Sequence, residues 1–240
     1  MTVYDDVNEA YDLVYTDVDT KIPFVLKVLE QYQKKDVLEL GSGSGLFTIP
    51  LKKKGLNIEG VEISQEMLNL TLKKAPDLTL HLGDMRTYDL GKQFDAVLIL
   101  SATLTLLQNQ QEMVQCLQQT YKHLPAKGLL FLELPNHAVE IQQSEQTQEV
   151  YQNEDSSIVV VVQSFKVEQY WRENWHVFKS GRDGFQQNKV SCDEFLYDPE
   201  KLEHQIQATG FEIVERYGDL FGTPFDEASS WRRVLICRKL

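Results

Sequence analysis

The stretch Val37-Leu-Glu-Leu-Gly-Ser-Gly-Ser-Gly45 decides the fold of this 240-residue chain. A short apolar run ends at an acid and breaks into three alternating glycines. That pattern is a buried parallel strand feeding a tight turn and then a helix. Glycine allows positive φ and removes the β-carbon, so a ligand can lie against bare backbone. The helix, expected over 45–54, offers unpaired N–H groups at its start. By itself the motif specifies a nucleotide-like ligand at a strand end.

The segments that follow narrow the reading. Gly55-Leu-Asn-Ile-Glu-Gly-Val-Glu-Ile-Ser64 is a second strand ending at Glu62, whose carboxylate can accept from both hydroxyls of a ribose. The turn reads G-x-G-x-G because position 46 is Leu, which weakens the case for a pyrophosphate. A third strand, 78–82, leads into Gly83-Asp-Met-Arg86. There Asp84 can accept from an exocyclic amine and Met85 suits a flat base. A fourth strand, Phe94 to Ser101, ends in small polar residues, and Lys127 to Leu134 is a fifth. Helices are expected over 65–75, N-capped by Ser64 with Met67, Leu68 and Leu72 on one face, and over 109–123. This alternation predicts an α/β fold: a Rossmann-like, doubly wound, mostly parallel seven-stranded sheet.

Four motifs in this order, Glu-Leu-Gly-Ser-Gly-Ser-Gly, Gly-Val-Glu-Ile-Ser, Gly-Asp-Met and Phe-Asp-Ala-Val, resemble the class I S-adenosylmethionine-dependent methyltransferases. The resemblance covers roughly residues 36–134 well and the segment from 199 onward more loosely. Within that superfamily the chain is similar to small-molecule enzymes that methylate amino sugars on nitrogen. Those share a Tyr-Asp-x-x-Tyr segment, here Tyr11-Asp-Leu-Val-Tyr15, and a Gly-Asp-Met-Arg third motif. The resemblance implies that Gly41, Ser42 and Gly43 lie against the methionine part of S-adenosyl-L-methionine. It implies that Glu62 holds the ribose with Ile63 on the adenine, and that Asp84 and Met85 clasp the adenine edge. Leu100 or Ser101 would sit near the sulfur, and Tyr15 near the transferred methyl. Tyr11 and Tyr4 are weaker versions of the Tyr15 assignment. Where the amino-sugar enzymes can carry a histidine after the fourth strand, this chain has Thr105.

The period then changes. Ser157 to Tyr170, Trp175 to Lys179 and Val190 to Tyr197 read as three antiparallel strands, with Gly181-Arg-Asp-Gly184 as a turn. They predict an inserted β lid over the substrate at 137–197. The methyltransferase core would then be 36–136 and 198–240, and a helical cap 1–35 would begin its apolar stripe (Val25, Leu26, Val28, Leu29) after Pro23. The chain returns with a helix from Pro199 to Thr209, stopped by Gly210, and two closing strands.

Candidate bases are few. His137 follows the fifth strand and is either a proton acceptor or a loop histidine bonded to backbone. His176 lies beside Trp175 and faces either the pocket or solvent. His81 reads as sheet packing, and His123 and His204 as helix surface. Trp171, Trp175, Phe178 and Tyr170 form an aromatic wall for substrate or fill the core between lid and sheet, and Tyr11 is a further candidate substrate contact.

Composition sets outer bounds. Hydrophobic content of 42% and charge of 25% suit a globular chain, and no apolar run reaches membrane-spanning length. A net charge of −12 argues against nucleic-acid partners and favours cationic ligands. Cys116, Cys192 and Cys237 have neither metal-ligand nor disulfide spacing, so no metal is expected. The start, Met1-Thr-Val-Tyr-Asp-Asp, lacks a basic, apolar export signal, so the cytoplasm is the expected compartment. The expected protein is a monomer or homodimer that methylates a small molecule, at an amine nitrogen in preference to a hydroxyl. The alternatives are an O-methyltransferase, a nucleotide-dependent oxidoreductase and a non-catalytic cofactor-binding partner subunit.

Overall fold

A computed structural model describes residues 8–143, 146–181 and 184–240. Tyr4 and the central pair of the 181–184 turn, Arg182 and Asp183, lie outside them. The elements run α1 (Asn8–Val14), α2 (Val18–Gln31), β1 (Asp36–Leu40), α3 (Thr48–Lys53), β2 (Asn57–Glu62), α4 (Gln65–Lys74), β3 (Thr79–Leu82) and β4 (Ala96–Ile99). A 3₁₀ turn (Thr103–Leu106), α5 (Gln110–Lys122), β5 (Leu129–Pro135), α6 (His137–Gln143) and β6 (Gln146–Gln152) follow. The chain closes with β7 (Ile158–Val167), β8 (Tyr170–Gly181), β9 (Gly184–Phe195), α7 (Pro199–Ala208), β10 (Phe211–Tyr217) and β11 (Arg232–Lys239).

Seven strands form one sheet in the order β10-β11-β5-β4-β1-β2-β3. The pairs β1–β2, β2–β3, β1–β4 and β4–β5 are parallel, and β11 runs antiparallel to both β5 and β10. Strand alternation divides the core. Leu38, Leu40, Val97 and Ile99 face Met113 and Leu117 of α5 and Leu202 and Ile206 of α7. Val37, Ile58, Ala96 and Leu98 face Ile22, Val25 and Leu29 of α2 and Leu51 of α3. Chain order reverses between β1 and β4, so the loops after those strands part and open a cleft at their carboxyl ends.

The β6–β9 strands form a separate antiparallel sheet in sequence order. It packs through Val160, Val162, Trp175, Val177 and Val190 on Ala10, Tyr11, Leu13 and Val14 of α1. The sheet has four strands where three were expected. The extra one, β6, is polar and almost wholly exposed, so it carries no alternating apolar signal. Helix α6 was likewise not anticipated.

Other expectations need correction. Helix α3 begins at Thr48, not Gly45, because Gly43 and Gly45 hold φ of 51° and 83° and keep the chain out of the helical region. Pro23 lies inside α2, which already starts at Val18. On α4, Ser64 does cap, accepting from Met67 N at 3.1 Å, but Thr71 is buried while Leu72 is exposed. His123 is buried: its Nδ1 lies 2.9 Å from the Gln119 carbonyl, and its Nε2 accepts from Leu90 N at 3.2 Å.

Candidate active site

The glycine loop after β1 is shaped by one close approach. Gly41 has φ +70°, and a β-carbon there would lie 2.3 Å from the Thr103 methyl. Only bare backbone lets this loop pass the 3₁₀ turn that follows β4. At the tip of β4, Ser101 and Ala102 both hold positive φ, 51° and 59°. Non-glycine residues in that region carry strain that the surroundings must hold. Here the Ser101 N–H donates to the buried Glu133 Oε2 at 2.6 Å, which fixes the turn.

Glu62 at the end of β2 is 6% exposed. Its Oε2 accepts from Gly43 N at 2.9 Å and its Oε1 from Ser64 N at 2.8 Å. Two backbone donors thus aim the carboxylate and tie the second strand tip to the first loop. Exposed Ile63 follows it. After β3, Asp84 accepts from Arg86 N at 2.8 Å and from Arg86 Nε at 3.0 Å. The Arg86 guanidinium holds that carboxyl below the ordinary range, and Arg86 Nη1 also reaches Glu112 Oε1 at 2.9 Å. Asp84 therefore borders the site with Arg86 as its partner, where the sequence alone implied an open acceptor.

These tips enclose a cavity of about 440 Å³, within the usual range for ligand sites. Gly41, Gly43, Glu62, Ile63, Asp84, Met85 and Ser101 line one side, and Tyr11, Tyr15 and Trp175 close another. The three rings pack together with centroids 4.7 Å (Tyr11–Tyr15), 6.0 Å (Tyr11–Trp175) and 6.2 Å (Tyr15–Trp175) apart. Burial, with Tyr11, Glu173 and Glu194 adding to it, pushes the Tyr15 phenol well above its ordinary value. Tyr15 is thus a neutral hydroxyl, able to bond and orient but not to abstract a proton near neutral pH.

Five of the expected residues do not line this cavity. Ser42 is buried against Gly60, whose β-carbon would come within 2.6 Å of Ser42 Oγ, and Leu100 lies in the core. Trp171 is buried behind the wall against His137, 6.4 Å between centroids. His176 alternates with Trp175 and so points to the opposite face of β8. His137 is 7% exposed at the start of α6, with Nδ1 2.9 Å from Glu140 Oε2.

Sequence reasoning missed two lid acids that do line the cavity, Glu173 of β8 and Glu194 of β9. Their signal was the period of two: Trp171, Glu173, Trp175 and Val177 share one face, as do Val190, Cys192 and Glu194. Glu173 accepts from the Trp175 indole N–H at 3.0 Å, and burial raises its carboxyl. Glu194 is pushed up to about 8 by burial first and the neighbouring Glu173 charge second, with Arg232 opposing. Thr105 Oγ1 lies 2.6 Å from the Ala102 carbonyl and 3.1 Å from Glu194 Oε2. When the hydroxyl donates to Ala102, it can accept from a protonated Glu194. His137 Nε2 stands 3.7 Å from the same Glu194 oxygen, so the histidine backs the acid instead of reaching the cavity.

This architecture is shared with solved S-adenosylmethionine-dependent methyltransferases, and residues 37–128 match the family described as a methyltransferase domain. The relation to particular proteins is distant. The chain is 28% identical over 134 residues to dTDP-3-amino-3,6-dideoxy-alpha-D-glucopyranose N,N-dimethyltransferase of Streptomyces fradiae, covering 53% of this chain and 52% of that protein. It is 30% identical over 142 residues to the cypemycin N-terminal methyltransferase of a Streptomyces species, covering 57% and 58%. The matches thus span about half the length of these curated relatives. Among solved structures, an S-adenosylmethionine-dependent methyltransferase of Clostridium acetobutylicum superposes with a TM-score of 0.85 at 16% identity, covering 99% of both chains. The CcbJ methyltransferase of Streptomyces caelestis does so with 0.81 at 25% identity, covering 100% of this chain and 98% of that one.

Proposed function

We propose that this protein transfers a methyl group from S-adenosyl-L-methionine to an amine nitrogen of a small molecule. The observation that carries the reading is one cavity that joins the Gly41–Gly43 loop and Glu62 to two half-buried lid glutamates. The cofactor half fits its ligand. Gly41 presents backbone where any side chain would collide, and Glu62, aimed by two N–H groups, can accept further bonds from a ribose. Ile63 and Met85 offer apolar surface to a base, and Asp84 with Arg86 closes that end. Ser42 and Leu100 support the loop and strand tip from behind.

When bound, the cofactor supplies an electrophilic methyl on positively charged sulfur. The chain then has three tasks. Tyr11, Tyr15 and Trp175 exclude water and hold the acceptor in line, an arrangement that can account for roughly 7–11 kcal/mol of a barrier. Glu194 takes the proton of an ammonium acceptor and leaves the nitrogen lone pair free to bond carbon. A carboxyl at about 8 is better matched to that proton than an ordinary glutamate. Thr105 bonds Glu194 and His137 stands behind it, so in this reading His137 is not itself the base.

In this reading residues 1–35 cap the cleft, 36–136 and 198–240 form the core, and 137–197 roof the acceptor. The family match over 37–128 weighs against the oxidoreductase alternative. Among the described residues no helix is long and apolar enough to cross a membrane. We place the protein in the cytoplasm, as a monomer or homodimer acting on small molecules and not on nucleic acid. Transfer of labelled methyl from S-adenosylmethionine to members of an amine panel is the expected result. Cofactor binding without turnover of any amine would leave the O-methyltransferase and the non-catalytic partner subunit.

A further inference from the structure

Six carboxylates border the cavity, Glu62, Asp84, Glu112, Glu173, Asp193 and Glu194, against one basic side chain, Arg86. Arg86 is already bonded to Asp84 and Glu112. On the lid, Arg172 is bound by Asp193 of the cavity lining, from Nε at 2.6 Å and Nη2 at 2.7 Å. Arg232 does not line the cavity; it stands 3.6 Å from Glu133 and 3.9 Å from Glu140, and its charge opposes the rise of Glu173 and Glu194. Arg86 and Arg172 are thus matched by carboxylates, so a phosphate entering the acceptor side would lose its water and meet like charge, and among the described residues no cation lining the cavity is free to bind it.

Glu173 and Glu194 present the opposite case. Among the described residues neither has a Lys or Arg within ion-pair distance. Glu173 is met by the Trp175 indole, and Glu194 by Thr105 and by His137, whose Nε2 is buried with no hydrogen-bond partner. Two largely buried acids without a bonded counter-ion, beside the faces of Tyr11, Tyr15 and Trp175, complement a compact cation.

Resting on the methyl-transfer reading, we infer that the acceptor is a cationic amine with no anionic group near its nitrogen, such as an amino sugar free of nucleotide. A nucleoside-diphosphate-linked amino sugar, the kind named for the Streptomyces fradiae relative, does not suit this wall.

The test uses the full chain. Calorimetry with S-adenosylhomocysteine comes first, and absence of binding would overturn the methyl-transfer reading and this inference together. With binding in hand, methyl transfer is compared between methyl 3-amino-3-deoxyglucoside and the dTDP-linked 3-amino-3,6-dideoxyglucose. The phosphate-free amine should have the higher kcat/KM by at least about tenfold, and thymidine diphosphate should not compete with it. Equal or better use of the nucleotide-linked amine, inhibition by thymidine diphosphate, or turnover of neither amine would overturn the inference while leaving the cofactor site intact. A Glu173→Gln variant should keep S-adenosylhomocysteine affinity and raise the KM for the phosphate-free amine by at least about tenfold. An unchanged KM would contradict the role given to the lid acids.

Discussion

Glu194 and Glu62 are two carboxylates of one cavity with opposite physical situations. Glu62 is aimed by backbone N–H groups, whereas Glu194 is desolvated beside another acid and raised to about 8. Only its ionised form can accept a proton, so kcat/KM for an amine should climb as pH passes through about 8. In Glu194→Gln that limb should vanish and kcat should fall by about 10²–10⁴. A pH–rate profile of both proteins checks this, and an unaltered limb in the variant would assign the base elsewhere. Glu62 was legible because a short apolar run places its last acid at a strand tip. Glu173 and Glu194 were not, because which face of the lid meets the cavity depends on how that sheet docks on α1. His137 was misplaced for a local reason: β5 runs on to Pro135, and α6 begins at once and turns the ring behind Glu194.

Between elements, the joint that matters is α1 against the β6–β9 sheet, built around Trp175 and the two tyrosines. Trp175→Ala should cost about 3–5 kcal/mol of stability through the cavity it leaves. It should also lower methyl transfer more than S-adenosylhomocysteine affinity, since Glu62 and the glycine loop lie on the other sheet. Denaturant unfolding and calorimetry on the same variant separate the two effects. If affinity and turnover fell together, the lid would be part of the cofactor site. The sheet's presence could be read from the β-branched run at 158–162, but its polar edge strand β6 could not. An edge strand held by backbone bonds needs no apolar pattern.

For the molecule as a whole, the first five strands and their parallel arrangement were readable because strands with their own apolar runs alternate with helix signals, whereas their order in the sheet was not. Stability has a pH signature from the same core. Glu39, inside β1, accepts from the Thr48 hydroxyl, and burial pushes it from 4.5 to about 8. The folded chain therefore keeps a proton there that the unfolded chain releases near 4.5. This contribution is full below that value and is lost as pH rises to about 8, by up to about 1.4 kcal/mol per pH unit. Glu39→Gln, which keeps a partner for Thr48, should flatten the fall of melting temperature over that window. A slope equal to that of the parent chain would mean Glu39 is ionised when folded.

The central claim is that strand tips of one sheet grip the adenosyl cofactor through Glu62 and the glycine loop. Calorimetric titration of S-adenosylhomocysteine into the parent chain and into Glu62→Ala tests it most directly. The account predicts saturable one-site binding that weakens by at least about tenfold in a variant that remains folded. No binding to the parent chain, or equal affinity in both, would contradict it.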